Sequence, residues 1–311
     1  MGRVTQRKRV TRVTRDQEAG TVAVRSRADT LAVEEPLELR LGGESFTVTM
    51  RTPGHDFELA AGFLVAEGMI RAPEELRGLR YCAGTDEAGE QTYNVLDADL
   101  LLDADLPAAR SPASRRRTVV TTSACGICGT TSIDAVEKTL PPAPGEGSRL
   151  SIGAGTLLDL PDALRESQKV FEKTGGVHAA GLFDGDGSLL CLREDVGRHN
   201  AVDKVVGWAL MEGRLPLAGT VLQVSGRASF ELVQKAALAG IEMLSAVGAP
   251  SSLAVDLAER SGLTLAGFSR GRSVNLYTHA HRVRTEDPDA SGEGPEAEPA
   301  GSPLLREQAG R

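Results

Sequence analysis

Apolar residues alternate with polar ones at Leu37, Leu39 and Leu41, pause at Gly42-Gly43, and alternate again at Phe46, Val48 and Met50. A period of two on both sides of a glycine pair predicts a β-hairpin, because successive strand side chains face opposite ways. Past Thr52-Pro53-Gly54 the period lengthens. Phe57, Ala61, Leu64 and Val65 fall at i, i+4, i+7 and i+8, one face of a helix ending near Gly68. Residues 79–106 hold short strand-like pieces, and 107–118, rich in Pro, Ser, Ala and Arg, reads as a loop.

From residue 148 onward helical and strand-like periods alternate. A helix is predicted over 162–174, stopped by Gly175-Gly176, then a strand over 177–183, a turn at Asp184-Gly185-Asp186-Gly187 and a returning strand over 189–192. Val202, Val205, Val206 and Ala209 mark a helix over 201–211, with Asn200 as its N-cap and Asp203 completing a capping box. Strands over 220–224, 242–247 and 263–268 then alternate with helices over 230–239 and 253–260. The pattern predicts an α/β class, a three-layer domain with a mixed sheet.

Pro141-Pro142-Ala143-Pro144-Gly145-Glu146-Gly147 is a linker by composition. It divides the chain into a smaller N-terminal α+β domain over 19–140 and a C-terminal α/β domain over 148–284. Residues 1–18, basic and without apolar period, and 285–311, acidic and rich in Pro and Gly, read as disordered tails. With 35 Lys+Arg against 43 Asp+Glu the net charge is 35 − 43 = −8. That balance argues against nucleic acid as a partner, although basic residues crowd into 3–15 and Arg115-Arg116-Arg117. The most apolar stretch, 236–255, is interrupted by Glu242 and Pro250, and the basic N-terminus lacks the apolar stretch of a secretory signal. The expectation is a cytoplasmic protein that neither binds nor crosses a membrane.

Four cysteines are too few for a disulfide framework. Two of them form Cys125-Gly-Ile-Cys128, flanked by Ser123-Ala124 and Gly129-Thr130-Thr131. Four readings of that pair stand side by side. Zinc takes four ligands, usually from two close pairs, and Cys82 and Cys191 supply no second pair, so no structural metal is expected. A thioredoxin-type redox pair opens a helix inside a βαβ unit, and these small flanks do not resemble one. A thiolate among small residues suits a sulfur carrier that attacks a sulfane sulfur and keeps it as a persulfide. The last reading is two inert thiols in a turn, as Cys191 reads within Leu189-Leu190-Cys191-Leu192.

Two further segments carry candidate binding groups. Residues 193–204 (REDVGRHNAVDK) crowd Asp195, Arg198, His199 and Asn200 into a strand-to-helix junction, where α/β sheets bind ligands. Phe268-Ser269-Arg270-Gly271-Arg272-Ser273 follows the last predicted strand. If extended, it puts both guanidinium groups on one side with Gly271 between them, an arrangement suited to phosphate.

Together these blocks resemble the formate dehydrogenase accessory sulfurtransferase (FdhD) family. The resemblance runs from about Pro36 to Val283 through TPGHDFELAAGFLVAEGMI, SACGICGTTSID, VHAAGLFDGDGSLLCLREDVGRHNAVDKVVG and the segment from QVSGRASF to FSRGRSVNLYTH. It implies transfer of sulfur from a cysteine desulfurase onto a molybdenum or tungsten bis-molybdopterin guanine dinucleotide cofactor, bound as substrate, for formate dehydrogenase. It implies that Cys125 carries the persulfide, that Cys128 assists, resolves to a disulfide or is dispensable, and that Phe268 to Ser273 contact the cofactor. A cytidine-deaminase-like C-terminal fold and a homodimer are implied as well. Deaminase chemistry itself is disfavoured, because Val177-His178-Ala179-Ala180 lacks the glutamate of H-x-E and no Pro-Cys-x-x-Cys occurs. The alternatives are a cofactor-binding chaperone without sulfur chemistry and a thiol-disulfide oxidoreductase.

Overall fold

The computed structural model describes residues 3–16, 20–82, 84, 92–101, 120–121 and 149–285. The expected linker over 141–147, both cysteines of the C-x-x-C, and 286–311 lie outside them.

The N-terminal segment departs from the sequence expectation of a disordered tail over 1–18. Strand β1 (Thr5–Arg15) pairs antiparallel with β2 (Val22–Ala32) along its whole length, Thr5 opposite Ala32 and Arg15 opposite Val22. Thr5, Val10, Thr11, Val13 and Thr14 supply β-branched residues, and the ladder satisfies backbone groups that a tail would leave to water. The sequence hides this because the strands bury little: Val13 and Val24, directly opposed, are each 64% exposed.

The predicted hairpin is β3 (Glu35–Leu41) and β4 (Glu44–Arg51), turned by Gly42 and Gly43 at φ 57 and 86. Helix α1 (Asp56–Ala66) follows. Strands β5 (Leu76–Tyr81), β6 (Val95–Leu100) and β7 (Val120–Thr121) complete a five-stranded sheet in the order β5-β6-β3-β4-β7.

The C-terminal half opens with β8 (Ile152–Gly153), α2 (Ala154–Ser167) and α3 (Lys169–Thr174). The single helix expected over 162–174 is two helices, broken at Gln168 where ψ is 82. Strands β9 (His178–Asp184) and β10 (Leu189–Asp195), helix α4 (Arg198–Met211), β11 (Thr220–Val224), α5 (Phe230–Leu238), β12 (Met243–Ala246), α6 (Ser252–Ser261), β13 (Thr264–Gly267) and β14 (Asn275–Leu276) follow. They form a six-stranded sheet ordered β10-β9-β11-β12-β13-β14, parallel across β11, β12 and β13 and antiparallel elsewhere. A last strand, β15 (Val283–Arg284), returns to pair with β8.

One apolar cluster runs from Leu37, Phe46 and Leu96 through Leu64 on α1 and Val202 and Val205 on α4 to Leu232, Leu257 and Leu265. The two halves expected as separate domains thus share a core. A smaller cluster packs Leu157, Leu160 and Leu164 of α2 on the other face of the six-stranded sheet, against Phe183, Val221 and Met243. The mixed sheet therefore lies between α2 on one side and α4, α5 and α6 on the other.

Candidate functional site

The 193–204 segment is mostly architecture. Asp195, fully buried at the end of β10, accepts from the backbone N–H groups of Gly197 (2.8 Å) and Thr52 (3.1 Å) and from Asn200 Nδ2 (3.0 Å), and ion-pairs with Lys204 Nζ at 2.7 Å. Lys204 also donates to Thr52 O and Asn200 to Met50 O. These bonds tie α4 to the end of β4 and the loop after it, about 150 residues away in sequence. The helix begins at Arg198 with Gly197 as N-cap, so Asn200 and Asp203 form no capping box. Holding the Gly197 N–H on Asp195 starts the first turn earlier than the apolar period indicates. His199 Nε2 meets Glu231 Oε2 at 3.1 Å and Ser229 Oγ at 3.3 Å, joining α4 to α5. Of the four candidates here, Arg198 alone keeps a buried, unpartnered polar atom, its Nε.

The open space lies beside this junction. A cavity of about 800 Å³ is bounded on one wall by Ser225, Val247 and Ser269, which follow β11, β12 and β13, with His178 at the head of β9 and Val196 just past β10. Pro161, Leu164, Gln168 and Phe171 of α2, α3 and their break form the opposite wall. The C-terminal ends of parallel strands are where open α/β sheets bind ligands. Asp162 is the one carboxylate in the lining. His178 is held below its ordinary value, first by burial and then by the Arg198 charge and His199, so its imidazole is neutral at pH 7.

Of the 268–273 segment, Ser269, Arg270 and Gly271 line the cavity. Phe268, Arg272 and Ser273 are exposed and outside its lining. The segment is not extended as the sequence reading supposed. Phe268 at φ 52 and Gly271 at φ 55 bend it, and Arg270 N–H closes the bend on Ser273 O at 3.1 Å. Arg270 Nε donates to Val247 O at 3.2 Å, which anchors the guanidinium at the cavity rim. Sequence reasoning missed Gln168, His178, Ser225 and Val247. The signal that could have found the last two was the end of each predicted parallel strand.

Cys125 and Cys128 fall outside the described residues. Cys82 and Cys191 are free thiols, and burial pushes Cys191 up to about 12, which keeps it protonated and unreactive at neutral pH. Among the described residues no group of His, Cys, Asp and Glu could hold a metal ion, and no helix is long and apolar enough to cross a membrane.

A mixed α/β fold with a roomy, cation-rimmed cavity at its parallel strand ends has its open space where α/β sheets commonly bind ligands. Comparison with known proteins makes that particular. The family model described as FdhD/NarQ family matches residues 32–284, and the chain belongs to that family. It is 58% identical over 285 residues to the sulfur carrier protein FdhD of Nocardia farcinica, covering 91% of this chain and 96% of that one. The sulfur carrier protein FdhD of Mycolicibacterium paratuberculosis is 54% identical over 280 residues, 90% of this chain and 99% of its own. In fold, the chain is similar to a crystal structure described as a formate dehydrogenase accessory protein from Desulfotalea psychrophila. That match has a TM-score of 0.66 at 24% identity, over 89% of this chain and 99% of the other.

Proposed function

We propose that the protein is a cytoplasmic sulfurtransferase that carries sulfur on Cys125 and delivers it to a molybdenum or tungsten bis-molybdopterin guanine dinucleotide cofactor, its substrate, for formate dehydrogenase. The observation that carries this reading is the 58% identity, over 96% of its length, to a relative named as a sulfur carrier, in a chain that has the Cys125-Gly-Ile-Cys128 pair. The donor is a cysteine desulfurase, and the working form is a homodimer.

In the loading step the Cys125 thiolate attacks the terminal sulfur of the donor's cysteine persulfide. A new S–S bond forms on Cys125, the donor's own S–S bond breaks, and the donor cysteine leaves as thiolate with no net oxidation. Release of the carried sulfur as sulfide takes two electrons. Cys128 supplies them by attacking Cys125 Sγ, which expels hydrosulfide toward the metal and leaves a Cys125–Cys128 disulfide for an external dithiol to reduce. The cavity supports the cofactor part of the reading: it offers idle donors, a neutral histidine and the Arg270 fork to an anionic, acceptor-rich molecule.

Intact-mass analysis after incubation with a desulfurase and cysteine tests the reading. One reductant-labile sulfur on the wild type, none on Cys125→Ala and retention without release on Cys128→Ser are expected. A Cys125→Ala protein that still matures formate dehydrogenase would leave a cofactor-binding chaperone.

A further inference from the structure

Among the described residues, the buried side-chain atoms without a hydrogen-bond partner are Gln168 Nε2, Arg198 Nε, Gln223 Oε1, Ser245 Oγ and Ser269 Oγ. Each costs free energy unless something meets it. They are gathered at one place. Gln168 and Ser269 line the cavity. Gln223 and Ser245 are register partners in β11 and β12, two residues before the lining Ser225 and Val247 and hence on the same sheet face. Arg198 stands beside His178, both within 4 Å of where a Cβ on Gly226 would lie.

Gln168 is the member of this set on the helical wall, and its backbone is fixed from both sides. Its N–H donates to Arg165 O and its carbonyl accepts from Glu172 N–H. The next two free N–H groups, of Val170 and Phe171, each donate at 2.8 Å to the carboxylate of Glu194, which reaches over from β10. The side chain so positioned is 4% exposed and sits among Pro161, Leu164 and Phe171 with its amide donor idle. A neutral donor in apolar surroundings suits a heterocycle better than a phosphate, for which the lining offers two exposed cations, Arg270 and Arg165, the latter stacked over Phe171 at 4.3 Å.

We infer that Gln168 is a ligand-binding residue of this cavity, its Nε2–H donating to a carbonyl oxygen or ring nitrogen on the base of the bound nucleotide. The inference rests on the reading of the cavity as the site of the guanine-dinucleotide cofactor. It also separates two ends of the ligand, the base at Gln168 and the phosphates at Arg270.

Calorimetric titration of the full chain with GDP and with guanosine tests it, on wild type, Gln168→Met and Gln168→Glu. Gln168→Met is expected to weaken both ligands by the same factor, roughly 3- to 10-fold, the worth of one neutral hydrogen bond. Gln168→Glu, which swaps the donor for a charged acceptor, is expected to weaken both further. Because the wild-type amide is unpartnered without ligand, Gln168→Met is expected to match or exceed the wild type in thermal midpoint, which a residue kept for the fold would not allow. Wild-type affinity in both variants, or loss of GDP without loss of guanosine, would overturn the assignment of Gln168 alone. Failure of the wild type to bind GDP would remove the cofactor site itself and the inference with it.

Discussion

Gly62 and Gly207 meet backbone to backbone where α1 crosses α4. A Cβ on Gly62 would lie 1.8 Å from Asp203 O, and one on Gly207 would lie 1.8 Å from Glu58 O. No rotamer relieves such an approach, since the obstacle is main chain, so a methyl at either point must push the helices apart. Gly207→Ala is therefore expected to cost about 3 kcal/mol or more, at the upper end of overpacking penalties. A lowered urea midpoint would register the loss; an unchanged one would mean that the crossing is looser than described.

Lys204 and Asp195 form an ion pair with both side chains at 1% exposure or less. Lys204→Met removes the charge that Asp195 faces and is expected to destabilise by about 3 kcal/mol, because breaking a buried pair strands its partner. Asp195→Asn combined with Lys204→Met should recover part of that loss. Equal denaturation midpoints for the Lys204→Met and wild-type proteins would contradict the pair.

Acid should weaken the fold through two glutamates. Burial alone would raise Glu58, but the Arg193 guanidinium, bonded at 2.5 and 2.7 Å, outweighs it and His55 adds to the effect, so Glu58 ionises at about 2. Glu231 also falls to about 2, chiefly through its hydrogen bond with His199. Both folded values lie below the ordinary 4.5, so the unfolded chain binds protons first as pH drops. Their stabilisation is complete above about 4.5 and is lost as pH falls toward 2. A urea midpoint measured across that window should decline, and Arg193→Met should decline less steeply. Parallel profiles would exclude the Arg193 contribution.

The two arginines of the 268–273 segment should part company. Arg270 lines the cavity and Arg272 does not. Arg270→Ala is expected to weaken GDP binding roughly 10- to 100-fold, with a dependence on salt, while Arg272→Ala leaves it nearly unchanged. Sulfur loading of Cys125 should survive both changes. Equal losses would restore the extended geometry that the bend at Phe268 and Gly271 excludes.

What was legible in the sequence was what is periodic. The β3–β4 hairpin, α1, α4 and strands β9 to β13 of the six-stranded sheet each bury one face or both, and Leu37, Leu64, Val202 and Val205 announce it through spacing, whereas the two-residue edge strand β14 is too short to carry a period. The β1–β2 hairpin left no such trace, because its valines face water among arginines. The density of Asp195, His199 and Asn200 looked like a binding loop. Their partners Thr52, Met50 and Glu231 lie 30 to about 150 residues away, and local spacing cannot supply them. Gln168 failed to stand out for the opposite reason: an amide in an amphipathic helix reads as surface, and only the break held by Glu194 turns it inward.

The edge strand β7 sets a leash. Thr121 pairs with Thr49, whose Oγ1 lies 3.4 Å from Asn200 Oδ1, beside the junction that supplies Val196 to the cavity rim. Cys125 is four residues further along the chain. Fully drawn out, four residues span about 14 Å, so whatever path 122–124 take, a sulfur atom on Cys125 stays within that radius of Thr121, plus the length of its own side chain. On the proposed reading, in which Cys125 carries the sulfur, delivery on this scaffold is a short-range handover: a persulfide donor would have to reach the β7 edge of the five-stranded sheet, within a few side-chain lengths of the anchored end of the tether.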